Sequence, residues 1–121
     1  MNNEVLIVED EKPMARALEL KLTSAGFNTV VVFDGEAAIA ALQKGKFGLV
    51  LLDLVLPKKD GFAVLEELKK TGSKIPVLVL SNLGQQEDLK RAKELGALGY
   101  FIKADTSLAS IVEQVKKALS V

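Results

Sequence analysis

Five short apolar runs, Val5 to Val8, Thr29 to Phe33, Leu49 to Leu52, Ile75 to Leu80 and Leu98 to Ile102, alternate with stretches whose apolar residues recur at helical spacing. This alternation constrains the fold more than any other feature. A short, continuous, β-branched run suits a strand buried on both faces. Strands separated by helices build a parallel sheet, because right-handed crossovers lay each helix across a face. The helical spacing is carried by Met14, Leu18 and Leu22, by Leu65 and Leu68, by Leu89, Ala92 and Leu95, and most clearly by Leu108, Ile111, Val112, Val115 and Leu119. Gly26, Gly45, Gly72 and Gly96 follow such stretches, where a left-handed helix terminus favours glycine, and Asp34, Asp60 and Asp105 stand at N-cap positions. The expected fold is therefore α/β: one doubly wound (βα)5 domain over residues 1–121, with helices on both faces of a five-stranded parallel sheet. No linker or low-complexity tract marks a domain boundary.

Composition narrows the chemistry. Lys plus Arg and Asp plus Glu both number 16, so the chain has no net charge and no basic stripe for sequence-independent binding to nucleic acid. Cysteine and histidine are absent, which excludes disulfides, thiolate metal sites, imidazole ligands and any Ser-His catalytic pair. What remains is carboxylate, hydroxyl and lysine chemistry. The apolar runs fall well short of the ~20 residues that span a bilayer, and no basic-then-apolar signal opens the chain. A cytoplasmic protein without membrane contact is expected.

The apolar runs end on polar residues: Glu9 and Asp10 after the first, Asp53 after the third, Ser81 after the fourth and Lys103 after the fifth. In an open doubly wound sheet these ends share one edge, where ligands bind at the point of strand-order reversal. Each residue alone also has an ordinary structural use, as a helix cap or a loop residue; their convergence on one edge is what points to a site. Hard oxygen ligands select Mg²⁺, with Mn²⁺ as a substitute, and Mg²⁺ takes only one or two protein carboxylates. Asp10 and Asp53 are the expected ligands, with Glu9 acting through a bound water and the backbone carbonyl of Val55 completing the protein's share.

The ordered pattern Val8-Glu9-Asp10-Glu11, Leu52-Asp53-Leu54-Val55-Leu56-Pro57 with Asp60-Gly61, Leu80-Ser81-Asn82, and Gly99-Tyr100-Phe101-Ile102-Lys103 resembles the receiver domains of two-component response regulators. The resemblance runs from the first strand to the last helix. It implies a flavodoxin-like sheet of order 2-1-3-4-5. It further implies that Asp53 accepts a phosphoryl group from a phosphohistidine on a histidine kinase or phosphotransfer protein. Lys103 pairs with a phosphoryl oxygen, Ser81 moves to donate a hydrogen bond to another, and Tyr100 swings inward. A downstream protein then docks on the face formed by the fourth helix, fifth strand and fifth helix, here about Gln85 to Leu95, Leu98 to Ile102 and Thr106 to Leu119, where Lys90, Arg91 and Lys93 can meet a partner's carboxylates. With no output domain expected in this chain, it acts by docking and is no stand-alone enzyme.

Three positions depart from that family's pattern. The first acidic pair is Glu9-Asp10 rather than two aspartates, a change the longer side chain absorbs. The family's lysine is usually followed by proline through a cis bond, whereas Ala104 follows Lys103; either a strained cis bond persists or the bond is trans and Lys103 approaches differently. Asn82 stands where alanine or glycine is common, and its bulk is expected to slow exchange with small donors and attacking water. These departures keep open a receiver-like docking module that is never phosphorylated. A flavodoxin-like flavin carrier fits poorly, because Glu9-Asp10-Glu11-Lys12-Pro13 would repel a flavin phosphate. An aspartate-nucleophile phosphatase would place an acid at position 55, which is valine.

Overall fold

A computed structural model describes residues 2–120; Met1 and Val121, the ends of the expected domain span, lie outside the described residues. Strands and helices alternate in the order β1 (Glu4–Val8), α1 (Lys12–Ser24), β2 (Asn28–Val32), α2 (Gly35–Lys44), β3 (Leu49–Leu52), α3 (Gly61–Lys70), β4 (Val77–Ser81), α4 (Gln86–Glu94), β5 (Gly99–Ile102) and α5 (Leu108–Leu119), with a 3₁₀ turn over Lys103–Asp105. The five strands are all parallel and lie in the order β2-β1-β3-β4-β5, as expected.

Successive strand residues point to opposite faces, so each central strand feeds two cores. Val5, Ile7, Leu49, Leu51, Leu78 and Leu80 pack with Leu18 and Leu22 of α1 and Ile111 and Val115 of α5. Leu6, Val8, Val50, Leu52, Val77 and Val79 pack on the other face with Ala38 of α2, Leu65 of α3 and Ala92 of α4. Burial on both faces is why β3 and β4 read as unbroken apolar runs, while the edge strands β2 and β5 keep partial exposure.

Several local signals hold and several shift. Asp34 and Asp60 cap α2 and α3, accepting the amide hydrogens of Ala37 at 2.7 Å and Ala63 at 2.9 Å. Asp105 does not cap α5: it falls in the 3₁₀ turn, and Ser107 does the capping, accepting the Ser110 N–H at 3.1 Å. The fifth helix therefore starts at Leu108 rather than near Thr106. Gly26, Gly72 and Gly96 adopt positive φ, but Gly45, at φ −111°, is extended. Strand β4 starts at Val77 rather than Ile75, because Pro76 lacks the N–H that a ladder needs, and Ser81 is its last residue rather than the one after it. Of the three residues that carry the helical spacing here, Ala92 is the one fully buried residue of α4 and Leu95, just past its end, packs on the same core, whereas Leu89 is exposed.

Candidate functional site

The register of the sheet brings the strand ends level. Val8 pairs with Leu52 across β1 and β3, and Ser81 with Ile102 across β4 and β5. Backbone bonds carry the ladder one residue further: the Glu9 N–H reaches the Val32 carbonyl at 3.1 Å and the Asp53 N–H reaches the Val8 carbonyl at 3.0 Å. Both acidic residues are thus set by sheet geometry rather than by a free loop. Asp53 is held from behind as well. Gly61 donates its N–H to the Leu54 carbonyl at 2.9 Å, and a Cβ at Gly61 would lie 2.4 Å from the Asp53 carbonyl oxygen, so only glycine lets α3 start this close.

Glu9 and Asp53 are both buried at this edge, and Lys103 reaches them from the turn after β5. Its Nζ lies 2.6 Å from Glu9 Oε1, 2.8 Å from Asp53 Oδ2 and 2.9 Å from Glu11 Oε1, with only 8 % of its side chain exposed. The second oxygens are also engaged, Asp53 Oδ1 by the Val55 N–H at 3.2 Å and Glu9 Oε2 by the Glu11 N–H at 3.0 Å. Burial pushes the Glu9 carboxyl above its ordinary range against its bonds from Lys103 and Glu11, and the Asp53 charge adds to the rise. Burial works to lower the Lys103 ammonium, yet its bonds to Asp53, Glu9 and Glu11 prevail and raise it well above its ordinary value. These directions agree: one cation serves three anions, so the lysine stays charged while a desolvated carboxylate is left under-compensated.

Asp10 is exposed, and single carboxylate oxygens of Glu9, Asp10 and Asp53 all lie within 4.8 Å of one another. This donor set is all hard oxygen and carries surplus negative charge, which suits a small divalent cation rather than a soft one. Ser81 is fully buried on the same edge, but its hydroxyl accepts the Leu83 N–H at 3.4 Å, and among the described residues no hydrogen bond joins it to Asp53 or Lys103. Tyr100 donates its hydroxyl to the Leu83 carbonyl in the loop between β4 and α4. Burial, reinforced by the charges of Asp88 and Asp53, pushes that phenol up to about 12, so it remains a donor at neutral pH.

The response regulator receiver domain family matches residues 5–116. The chain belongs to the response regulator receiver family. It is 33% identical to the probable transcriptional regulator ycf27 of Porphyridium aerugineum, over 97% of this chain and 51% of that protein. Its fold is similar to the receiver domain of the Francisella response regulator 1452, with a TM-score of 0.92 and 27% identity over 98% of this chain and 97% of that one. It is similar also to the phosphorylated cyanobacterial phytochrome response regulator RcpA, with a TM-score of 0.82 and 33% identity over 97% of this chain and 91% of that one. The receiver spans about half the length of the curated relatives it matches.

In this receiver domain the structure brings Glu9, Asp53 and Lys103 into direct contact, with Asp10 beside them, and leaves Ser81 and Tyr100 bonded within or onto the adjoining loop. Sequence reasoning missed the part of Glu11, whose carboxylate shares Lys103 across 92 positions of chain; the third acid in Glu9-Asp10-Glu11 was the available signal. Among the described residues no peptide bond is cis, so Lys103-Ala104 is trans. Asn82 does not merely add bulk: its Oδ1 accepts the Ala104 N–H at 3.1 Å. Of the three cations on α4 expected to face a partner, Arg91 is engaged within the domain, 3.3 Å from Glu66 and 4.2 Å over the Phe62 ring. A cleft of about 320 Å³ between α2 and α3 lies at the opposite, amino-terminal edge of the sheet and holds none of these acids. No helix among the described residues is long and apolar enough to cross a membrane.

Proposed function

We propose that this receiver is switched by phosphorylation of Asp53, with a phosphohistidine on a histidine kinase or a histidine phosphotransfer protein as donor. One observation carries the reading: the buried Asp53 carboxylate stands 2.8 Å from the Lys103 ammonium, with oxygens of Glu9, Asp10 and Asp53 gathered within 4.8 Å. A carboxylate oxygen of Asp53 attacks phosphorus, the bond from phosphorus to the donor's imidazole nitrogen breaks, and that nitrogen leaves with the bond's electron pair. The product is an aspartyl phosphate. Lys103 exchanges a carboxylate contact for a phosphoryl oxygen, Ser81 advances to donate its hydroxyl to another, and Tyr100 leaves the Leu83 carbonyl and turns inward.

Glu9, Asp10, Asp53 and the backbone carbonyl of Val55 would hold Mg²⁺, or Mn²⁺ in its place. When bound, the cation offsets the charge that builds on the phosphoryl oxygens, the dominant requirement in such transfers. The phosphorylated state of the similar RcpA structure supports the same chemistry here. The switched surface, made by α4, β5 and α5, docks a protein partner in a cytoplasmic setting. The names of the curated relatives point to transcriptional control as the output that this receiver serves.

The test is intact mass after incubation with acetyl phosphate and Mg²⁺, wild type against Asp53→Asn. One phosphoryl adduct that requires Mg²⁺ and disappears in the variant is the expected result. If neither protein gains mass, even from a histidine-phosphorylated donor protein, the reading gives way to a docking module that is never phosphorylated. The saturation of Lys103 by three carboxylates is the observation that would favour that second reading.

A further inference from the structure

Two of the three positions at which this chain departs from the family's sequence pattern, Asn82 and Ala104, touch each other. Ser81 and Ile102 form the last register pair between β4 and β5, and beyond it the two chains separate into the loop that follows Ser81 and the 3₁₀ turn that carries Lys103. One residue past Ser81 and two past Ile102, Asn82 Oδ1 accepts the Ala104 N–H at 3.1 Å. The donor exists because residue 104 is not proline, and the acceptor exists because residue 82 is neither alanine nor glycine. Each departure supplies half of one hydrogen bond. On the far side the turn is braced by Thr106, whose hydroxyl donates to the Ile102 carbonyl at 2.8 Å.

We propose that Asn82 is a positioning residue that latches the Ser81 loop to the Lys103 turn through the Ala104 amide, holding the receiver in its resting arrangement. This rests on the phosphotransfer reading of the same site. Lys103 is already committed to Glu9, Glu11 and Asp53, and Ser81 is turned to the Leu83 amide. Phosphoryl uptake requires Ser81 to advance, and the residue that follows it is tied across to the turn. The latch therefore opposes the advance of Ser81 and slows uptake by about as much as one net hydrogen bond contributes, on the order of fivefold.

Asn82 could instead slow uptake by bulk alone, and a double-variant cycle separates the two causes. Asn82→Ala removes the acceptor, and Ala104→Pro removes the donor. Uptake from acetyl phosphate with Mg²⁺, followed by intact mass, is expected to quicken about fivefold when Asn82→Ala is made in the wild type, and not to change when it is made in the Ala104→Pro background. An equal gain on both backgrounds overturns the latch in favour of bulk. A second readout requires neither phosphorylation nor the proline variant to fold. Hydrogen exchange of the Ala104 amide, followed by NMR in the unphosphorylated protein, is expected to be about fivefold faster in Asn82→Ala and to stay slow in Asn82→Asp, which keeps an acceptor oxygen. An Ala104 amide that exchanges alike in wild type and Asn82→Ala overturns the latch. Failure of every protein, wild type included, to gain mass overturns the phosphotransfer reading and with it the kinetic role of Asn82, while the amide exchange still decides the bond.

Discussion

Lys103 pairs with three carboxylates at once, and the consequences are local and sharp. Lys103→Met leaves Glu9, Glu11 and Asp53 facing each other without their cation. Removing one partner from a buried ionic cluster costs about 3 kcal/mol or more, so a loss of that order is expected in urea titrations at pH 7 without divalent metal. The loss should narrow toward pH 4.5, because protonation then relieves the repulsion; a deficit unchanged between those pH values would contradict it. In the wild type, Glu9 titrates above its ordinary value of 4.5, so the folded protein keeps that proton to higher pH than the unfolded chain does. Stability then falls as pH rises from the ordinary value through the raised one. Glu9→Gln, with no proton to lose, is expected to flatten that decline in metal-free buffer, and an identical slope in both proteins would exclude Glu9 as its source. None of this is legible from Glu9, Glu11 or Lys103 singly, since the charge balance depends on their meeting.

At the scale of elements, the start of α3 is the part that admits least change. Gly61 sits against the backbone of Asp53 and Leu54, where a Cβ would fall 2.4 Å and 2.6 Å from backbone atoms that have no easy way to yield. Gly61→Ala is expected to destabilise the domain by about 2 kcal/mol, the usual scale of overpacking, and to displace Asp53, so urea denaturation and phosphoryl uptake should both suffer. Unchanged stability would mean that α3 can slide away from the strand end at little cost. Elements of this kind were readable because their signals are local: alternating strand and helix periods, Asp34 and Asp60 as caps, Gly26, Gly72 and Gly96 as stops. The misreadings have local causes too. Asp105 and Ser107 both suit a cap, and only the 3₁₀ turn after β5 decides for Ser107. Of the apolar spacing at α4, Ala92 and Leu95 pack on the core and Leu89 is left outside.

For the molecule as a whole, surplus negative charge at one sheet edge would couple folding to the Mg²⁺ that the site is proposed to hold. Mg²⁺ that binds the native site and not the unfolded chain stabilises by mass action, about 2.7 kcal/mol at a hundredfold excess over Kd. Thermal melting across millimolar Mg²⁺ is expected to rise by several degrees in the wild type and by less in Asp10→Asn, which removes the negative charge of the exposed member of the Glu9–Asp10–Asp53 group. An equal rise in both would place the metal elsewhere. The same architecture marks the boundary between what could be read and what could not. Apolar period and strand-helix alternation, which are properties of neighbouring residues, determined the parallel sheet, its two covered faces and the convergence of Glu9, Asp10, Asp53, Ser81 and Lys103 on one edge. Contacts between distant side chains were left to the tertiary structure: Glu11 sharing Lys103 across 92 positions, Tyr100 bonded to Leu83 across 17, and Asn82 closing on the Ala104 amide across 22. The physical reason is that strand direction and register bring chain ends to within a few ångströms, whereas the choice among hydrogen-bond partners there is made by which donors and acceptors the folded loops leave within reach.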